Sequence, residues 1–328
     1  MKRIAIAPGD PAGIGYEITA KALYQHELQN QLAEYNTIPI VYANVPLFYK
    51  AIAQFTPGLM VTKIDYPVQA EEPGNIYIID SGKPIAHFEP GVMSGDCAFC
   101  AHQALEEICR DVKKHGVDGI CTGPIHKGAM RMAGVPEIGH TEMLAKALDA
   151  SSPVTMFITR NLRIFFYSRH LSLRQAIDAL DCGRVVEFGQ TMHKHMMQLG
   201  FNKPHLAMAA LNPHASDGGQ FGTEEAEILI PAAEILRNIG VDISDPIGAD
   251  SVFAQAAEGR FDAVMSLYHD QGHIAAKTYD FERTISATLG LPCLRTSVDH
   301  GTAFDIAWQN KAQSISMTTA IETLIRYI

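Results

Sequence analysis

The sequence predicts a layered α/β protein with a largely parallel sheet, and three observations lead to this prediction. Short apolar runs of strand length alternate with segments of helical periodicity, which is the order of a parallel sheet with crossover helices. A glycine-rich turn separates the first predicted strand from the first predicted helix. The chain has 328 residues. At roughly 150 residues per domain, we expect two lobes.

The elements follow one another in a regular order. Apolar runs predict strands at residues 4–7, 76–79, 119–122, 155–158, 162–168, 206–211 and 263–268. Periodic segments predict helices at residues 15–23, 98–114, 173–180 and 223–239. The turn-rich segments 128–139 and 277–292 are the predicted crossings between the lobes. Ligands of such sheets bind at the carboxyl ends of the strands.

Composition and charge exclude several classes of protein. Apolar residues make up 47% of the chain and charged residues 19%, which excludes disorder, collagen and coiled coil. The formal charge of −10 disfavours nucleic acid and anionic membranes as partners. No apolar run approaches the ~20 residues of a bilayer span. The run after Lys2 and Arg3 stops at Pro8, too early for a secretory signal. We expect a cytoplasmic protein.

The six cysteines are too sparse and irregular for a disulfide framework, so we expect them to be reduced. Cys97 and Cys100 form a C-x-x-C pair, but the sequence has no second pair of this spacing and the neighbours of the two cysteines are apolar. We therefore predict small buried helix residues rather than a redox or zinc site.

Three of the 14 histidines, His170, His214 and His269, come just after predicted strands or at their ends. Because the ends of parallel strands share one edge of the sheet, these imidazoles could converge on a catalytic divalent metal such as zinc. Alternatively, each is a loop residue with a single hydrogen bond, and the residues alone leave both readings open. Asp250 and Asp270 could orient a ligand or complete its shell, or be solvated or cap helices.

Two glycine-containing turns are candidate anion sites. GDPAGIG (residues 9–15) opens a helix, where free backbone N–H groups favour an anion, although a plain tight turn explains it equally well. GHTE (residues 139–142) offers Thr141 as a helix cap, or Thr141 with His140 as a phosphate site.

Three basic residues on turn-rich stretches, Lys127, Lys277 and Arg295, are candidates for an electropositive pocket in this acidic protein. Solvated surface charge is the alternative for each of them. The sequence contains neither a G-x-S-x-G elbow nor an H-E-x-x-H motif, which disfavours serine and metalloprotease hydrolysis.

Six segments in order resemble the 4-hydroxythreonine-4-phosphate dehydrogenase family of pyridoxal phosphate biosynthesis, essentially end to end. They are GDPAGIG (9–15), TGPIHK (122–127), GHTE (139–142), LNPHA (211–215), YHDQGH (268–273) and GLP through RTSVDHGTA (290–303). The resemblance implies a two-lobed α/β/α fold like that of isocitrate and isopropylmalate dehydrogenases. Its first lobe would span residues 1–130 and 295–328, its second lobe, with the dimer interface, residues 131–294, and the active site the cleft between them.

The same resemblance implies NAD-dependent oxidation at C3 of a 4-phosphorylated 3-hydroxy acid, followed by loss of CO2, in a homodimer. The first expected substrate is 4-(phosphooxy)-L-threonine, giving 3-amino-2-oxopropyl phosphate. Carried over by position, the ligands of a zinc, magnesium or cobalt ion shared across the dimer would be His170, His214 and His269. Substrate contacts would be His140, Thr141, Lys277 and Arg295.

Residues 300–307 (HGTAFDIA) resemble the adenosine-binding loop of isocitrate and isopropylmalate dehydrogenases. This likeness implies that His300, Gly301, Thr302 and Asp305 contact NAD, although an ordinary turn before a helix is the alternative. Trp308, the single tryptophan, stands where those enzymes usually have glycine.

Ser286 occupies the substrate-binding position where the biosynthetic enzyme usually has asparagine, and its hydroxyl is shorter and lacks the paired donor and acceptor of an amide. The QGHI run (271–274) is similar to a catabolic branch that acts on 4-phospho-D-threonate or 4-phospho-D-erythronate and gives dihydroxyacetone phosphate and CO2. A third relative oxidises phosphate-free cis-dihydrodiols, which the retention of Lys277 and Arg295 disfavours.

Two other classes of protein remain as alternatives. A phosphate acyltransferase of similar architecture needs neither NAD nor three metal-binding histidines. A non-catalytic phosphate-binding protein would bind the anion without turnover.

Overall fold

A computed structural model describes residues 1–82, 84–85, 87–137 and 139–328. The chain divides into two units by its internal contacts. The first unit comprises Met1–Pro153 and Ile285–Ile328, and the second unit comprises Val154–Thr284.

The described residues contain twelve strands. In chain order they are β1 (Lys2–Ala7), β2 (Thr37–Ala43), β3 (Val61–Ile64), β4 (Ile76–Asp80), β5 (Gly119–Thr122), β6 (Val154–Thr159), β7 (Leu162–Phe166), β8 (Leu206–Ala209), β9 (Ile243–Ile247), β10 (Ala263–Ser266), β11 (Ile285–Leu289) and β12 (Leu294–Val298). The strand order is β3-β4-β2-β1-β5-β12-β11 in the first unit and β6-β7-β10-β8-β9 in the second. Within each unit the pairing is parallel except for β11 with β12 and β6 with β7.

The same residues contain twelve α-helices. They are α1 (Gly15–Leu23), α2 (His26–Glu34), α3 (Val45–Phe55), α4 (Gly95–Lys113), α5 (Lys127–Met132), α6 (His140–Ala147), α7 (Leu173–Asp178), α8 (Cys182–Gln198), α9 (Ile230–Asn238), α10 (Ala249–Ala257), α11 (His269–Tyr279) and α12 (Ile315–Tyr327). None of the described helices combines the length and the apolar character needed to cross a lipid bilayer.

Both faces of the first unit's sheet are buried. Ala5 and Ala7 of β1 belong to the core that contains Ile108 of α4. Ile4 and Ile6 are also fully buried, and strand alternation directs them to the opposite face. Helices therefore cover the sheet on two sides, as expected for parallel strands.

In the second unit, α10 and α11 cover one face of the sheet. Phe253 of α10 and Ala276 of α11 pack into one core with Ile164 and Phe166 of β7 and with Val264 of β10. Helices α8 and α9 pack against each other, and α9 contacts β9. The strands that carry the three candidate histidines thus form part of a covered, mostly parallel sheet.

The lobe boundaries differ from the expected ones. The structure assigns residues 131–153 and 285–294 to the first unit, whereas the family resemblance implies the second lobe. The physical reason is local packing, because α6 packs against α4 and β11 forms an antiparallel hairpin with β12.

The secondary-structure predictions are largely confirmed, with three corrections. The turn-rich segment 277–292 contains the end of α11 and the whole of β11. The segment 128–139 is not only turn, because α5 occupies its first part and buries Ala129 and Met130. The predicted helix 223–239 is not uniform, because Glu225–Leu229 is a π-helical turn that leads into α9. The glycines of segment 128–139 conceal helix α5. The apolar repeat of segment 223–239 is the same for an α-helix and for one that begins with a π-helical turn, so it does not predict the π-helical turn.

Candidate active site

The ends of β7, β8 and β10 lie side by side in the second unit. Met265 of β10 pairs with Phe165 of β7 and with Met208 of β8, all in parallel. The chain leaves these strands at the same edge and then reaches His170, His214 and His269. The prediction that all three histidines follow neighbouring strand ends is confirmed.

The structure brings two of these histidines near each other. The ring centroids of His170 and His269 are 6.4 Å apart. Across the described ranges, however, no group of three or more His, Cys, Asp or Glu side chains is close enough to hold one metal ion. The three-histidine set therefore stays a prediction, consistent with the resemblance, which implies that two subunits share the metal.

His214 lies in a left-handed turn beyond β8. His214, Ala215, Ser216 and Asp217 have φ values of 53°, 51°, 72° and 45°, a region that non-glycine residues seldom occupy. Such strain persists only where the surroundings impose it, and it is concentrated at functional sites. The turn thus supports His214 as a functional residue.

His269 has the neighbours of an oriented metal ligand. Its Nδ1 lies 2.6 Å from Oδ1 of Asp270, which leaves Nε2 as the nitrogen that can bind a ligand. A carboxylate on the second ring nitrogen is the usual partner of a metal-binding histidine, since it fixes the tautomer and the ring orientation. Asp270 therefore fits the predicted orienting role, whereas Asp250 is an exposed residue in the first turn of α10.

His273 belongs to the YHDQGH segment, and no role is predicted for it from the sequence. Its ring stacks on that of His269 with centroids 3.7 Å apart and planes within 10°. Its Nδ1 lies 2.8 Å from the backbone oxygen of His269. Because His269, His273 and Lys277 are four residues apart on α11, they share one helix face, and all three line one pocket that also contains Phe281. The spacing of four was the signal that could have identified the face.

Arg295 is a buried charge of the first unit. It is 4% exposed, and its guanidinium donates to the hydroxyls of Thr122 and Thr288. Among the described residues no carboxylate bonds to it. Burial lowers the pKa of Arg295 to about 10, and the nearby Glu142 carboxylate opposes this shift in part. A buried cation held by neutral groups attracts an anion.

His140 lies near Arg295 at the start of α6. Its Nε2 is buried and has no hydrogen-bond partner among the described residues. Burial, and then the charge of Arg295, hold the pKa of His140 well below its usual value. At neutral pH the ring is uncharged, and its unpartnered nitrogen is available to a bound molecule.

The start of α6 shows whether Thr141 of GHTE (139–142) is a helix cap. Helix α6 begins at His140, with Gly139 as its N-cap and no side-chain cap. Thr141 is therefore inside the first turn, and the prediction that it caps the helix is wrong. Thr141 follows His140 in this first turn, where backbone N–H groups favour an anion.

Ser286 shares a face of the β11–β12 hairpin with Arg295. Ser286 is opposite Ser297, and Thr288 is opposite Arg295. Because alternate residues of a strand point to one face, Ser286, Thr288 and Arg295 are on the same side. Ser286 is half-buried there, which fits a substrate contact beside the guanidinium.

The GDPAGIG turn proves to be a packing motif. A Cβ on Gly9 would lie 2.1 Å from the Pro124 oxygen, and one on Gly15 would lie 1.9 Å from the Pro8 oxygen. All residues of the turn are buried, so the turn is not an open anion site. Burial also raises the pKa of Asp10 to about 6, and its Oδ2 has no hydrogen-bond partner in the described part of the chain.

This turn supports the predicted cofactor loop. Ile14 donates its backbone N–H to the Thr302 oxygen at 3.0 Å, and Gly13 packs closely on Thr302. The Trp308 indole donates to the Pro11 oxygen at 2.8 Å. Within the loop, His300 and Asp305 remain accessible. Trp308 has φ 61°, which explains why glycine is usual at this position in the enzymes that the loop resembles.

The structure also locates the C-x-x-C pair and Lys127. Cys97 and Cys100 are 0% and 2% exposed in α4, and burial raises the pKa of their thiols to about 11 and about 12. The prediction of small buried helix residues is confirmed. Lys127 is the first residue of α5, and its place in an electropositive pocket stays a prediction.

Comparison with known proteins decides the family. Residues 35–324 match the family described as "Pyridoxal phosphate biosynthetic protein PdxA". The chain belongs to the PdxA family. The predicted resemblance is thereby confirmed over most of its length.

Individual relatives of this PdxA protein are dehydrogenases. The chain is 42% identical to a protein of Halalkalibacterium halodurans provisionally named D-threonate 4-phosphate dehydrogenase, over 99% of this chain and 96% of the relative. It is likewise 42% identical to a protein of Fusobacterium nucleatum with the same provisional name, over 99% and 97%. The crystal structure of 4-hydroxythreonine-4-phosphate dehydrogenase from Klebsiella pneumoniae has a TM-score of 0.87 at 36% identity, over 99% of this chain and 100% of that one. These findings confirm the layered α/β fold class and the prediction of a dehydrogenase.

Proposed function

We propose that this PdxA protein oxidises C3 of a 4-phosphorylated 3-hydroxy acid with NAD and then releases CO2, with the help of a divalent metal. The observation that carries the proposal is that buried Arg295 lies near His140, whose Nε2 has no hydrogen-bond partner among the described residues. A substrate with a phosphate and a carboxylate supplies an anion for the Arg295 guanidinium and a hydrogen-bond partner for His140.

The metal ligands would be His170, His214 and His269, which suit zinc, cobalt or magnesium in decreasing order of nitrogen preference. The His269–Asp270 contact supports the assignment. When bound, the ion would stabilise negative charge on the substrate oxygens during oxidation and decarboxylation.

Substrate would bind to His140, Thr141, Lys277, Ser286 and Arg295. Arg295 supplies the fixed charge, since Thr122 and Thr288 hold its guanidinium in place. His140 adds a neutral hydrogen-bonding nitrogen at the start of α6. Together these groups would orient C3, and an anchored phosphate lets remote binding energy position the reacting carbon.

The cofactor would contact His300, Gly301, Thr302 and Asp305. Bound NAD would accept the hydride from C3. The accessible carboxylate of Asp305 suits ribose hydroxyls, which donate hydrogen bonds. The buried GDPAGIG turn would keep the loop in one conformation, because Ile14 and Gly13 hold Thr302 from beneath.

Two substrates fit this chemistry and differ at C2. 4-(Phosphooxy)-L-threonine carries an amino group there and corresponds to the name of the Klebsiella pneumoniae structure. D-Threonate 4-phosphate carries a hydroxyl and corresponds to the name of the relatives at 42% identity. Ser286 favours the second candidate, because a single hydroxyl can replace the asparagine amide for a substrate without the amino group.

The test is a side-by-side assay of NAD reduction. Purified enzyme is given 4-(phosphooxy)-L-threonine, D-threonate 4-phosphate or D-erythronate 4-phosphate, each with zinc, magnesium or cobalt. We expect NADH from at least one phosphorylated acid and none from the dephosphorylated acids. Equal rates with and without the phosphate would contradict the proposal.

We propose further that the enzyme is a homodimer with its metal shared between subunits. The accessible positions of His170 and His214 support this proposal, because neither is enclosed by its own chain. Light scattering tests it. A monomer that reduces NAD at the full specific rate under assay conditions would contradict it.

We also propose that the reaction takes place in the cytoplasm. All six cysteines are free thiols, as expected for a reducing compartment. Cell fractionation with an activity assay tests this localisation.

A further inference from the structure

A buried amide joins two of the strand ends that precede the candidate metal ligands. Gln271, in the first turns of α11, is 8% exposed. Its Oε1 accepts the backbone N–H of Leu267 at 2.7 Å, and its Nε2 donates to the backbone oxygen of Ala210 at 2.8 Å. Leu267 follows β10 and leads to His269, whereas Ala210 follows β8 and leads to His214. One side chain therefore spans the two segments.

Further hydrogen bonds extend this link to β7. The Ser168 hydroxyl donates to the backbone oxygen of Leu267 at 2.8 Å, and the Tyr167 N–H donates to the Ser266 oxygen at 2.8 Å. These bonds join the segment before His170 to the end of β10. The three strand ends are thus connected through Leu267 and its neighbours.

A buried carboxylate holds the β8 segment from its other side. Glu225 is 2% exposed. Its Oε1 accepts the backbone N–H groups of Leu211 and Asn212, each at 2.8 Å, and its Oε2 accepts from the Asn212 amide at 2.8 Å. The backbone between Ala210 and Asn212 is therefore fixed on both sides just before the strained turn that contains His214.

We propose that Gln271 is a positioning residue that fixes the backbone segments leading to His214 and to His269 and thereby the affinity of the enzyme for its divalent metal. The inference rests on the metal ligands of the proposed function. Gln271 does not touch the ion in this account, because both ends of its amide are already engaged by the backbone. It acts through the backbone of Ala210 and Leu267. Residues that orient metal ligands without touching the ion are known to change metal affinity in this way.

A purely structural role makes a different prediction. If Gln271 only satisfied two buried backbone groups, its loss would lower stability and leave the metal site of the folded protein unchanged. Metal affinity and the spectrum of the bound metal separate the two roles.

The test uses the Gln271→Met variant of the full chain, which has a similar volume and no amide. Gln255→Met is the matched control, since Gln255 is a half-buried helix residue of the same unit that bonds only weakly to Ser251, at 3.5 Å. Chelator-treated proteins are titrated with Co2+, and binding is followed by calorimetry and by visible absorption. We expect Gln271→Met to weaken Co2+ binding by about 10-fold or more and to alter the absorption bands. Gln255→Met should match the wild type within about twofold.

Unchanged Co2+ affinity and spectrum in Gln271→Met would overturn the inference, as would an equal loss in Gln255→Met. If Gln271→Met does not fold, Gln271→Glu is used, because it keeps an acceptor for Leu267 and loses the N–H that reaches Ala210. The same loss of affinity is expected for it. A wild type that binds no Co2+ would instead overturn the metal part of the proposed function, before any substitution is made.

Discussion

Arg295 is held by Thr122 rather than by a carboxylate. The Nη2 and Nε atoms of Arg295 donate to Thr122 Oγ1 at 2.6 and 3.1 Å. The same hydroxyl donates to Ser297 Oγ at 3.0 Å, so Thr122 can accept from arginine without an unpaired proton. The guanidinium is fixed in place, and no carboxylate of the described ranges forms an ion pair with it. This arrangement suits a site that binds an anionic substrate.

Replacing Arg295 by methionine removes that charge and nearly preserves the volume. We expect kcat/KM for the phosphorylated acid to fall by about 100-fold or more, since a charge-assisted bond inside a buried site is lost. The affinity for NADH should not change, and stability should change little, because an unpaired buried charge is removed with its hydrogen bonds. Steady-state kinetics, calorimetry and thermal melting measure the three effects. Arg326→Met, at an exposed site of α12, is the control, and an equal loss of kcat/KM there would exclude a specific role for Arg295.

Asp10 predicts an unusual pH dependence of stability. Burial raises its pKa from 3.8 to about 6 in the folded protein. Between these values the folded state binds more protons than the unfolded state, so stability falls as pH rises from about 4 to 6 and stays lower above it. Asp10→Asn keeps the oxygen that accepts from Ala12 at 3.0 Å and removes the charge. We expect it to raise the free energy of unfolding at pH 8 by roughly 2–3 kcal/mol.

Urea unfolding of wild type and Asp10→Asn at pH 4 and pH 8 measures this effect. The gain should be present at pH 8 and nearly absent at pH 4. Asp65→Asn, at an exposed position, should show no such difference. A gain at pH 4 as large as at pH 8 would show that the ionisation of Asp10 is not its cause.

Asp270 should control the affinity for the metal through His269. Asp270→Ala removes the carboxylate that lies 2.6 Å from Nδ1 of His269. We expect divalent metal to bind about 10-fold to 100-fold more weakly, with little change in the melting temperature of the metal-free protein, because Asp270 is exposed. Zinc titration against a competing chelator measures the affinity. Asp250→Ala is the control, and no difference between the two variants would argue against His269 as a ligand.

Trp308 should report cofactor binding directly. It is the single tryptophan, and it lies just beyond the predicted cofactor loop with Phe55 and Phe88 packed against it. NADH absorbs where tryptophan emits, so we expect emission from Trp308 to fall during titration with NADH. In Trp308→Phe that signal disappears, while calorimetry still detects NADH. Binding detected by calorimetry without any change in wild-type emission would place the cofactor away from this loop.

The sequence was informative where a local pattern determines the structure. Apolar runs located β1, β5, β7, β8 and β10, and the rule that parallel strands end at one edge brought His170 and His269 to neighbouring positions. The apolar neighbours of Cys97 correctly indicated burial.

Other features depend on contacts between distant parts of the chain. The environment of Arg295 arises from Thr122 and Thr288 in two neighbouring strands, and no local pattern encodes that pairing. The left-handed turn begins at His214 and passes through four non-glycine residues before it reaches Gly218, so residue type does not mark where it begins. The unit boundary near Ile285 follows from the β11–β12 hairpin, a pairing that turn composition alone does not reveal.

The most direct test of the central claim is the stoichiometry of the reaction before and after chelation. Enzyme reconstituted with zinc, magnesium or cobalt is given NAD and the better of the phosphorylated acids, and NADH and CO2 are measured together. The account predicts equal amounts of both products with metal and neither product after the metal is removed. NADH production that survives chelation, or that proceeds without CO2, would contradict it.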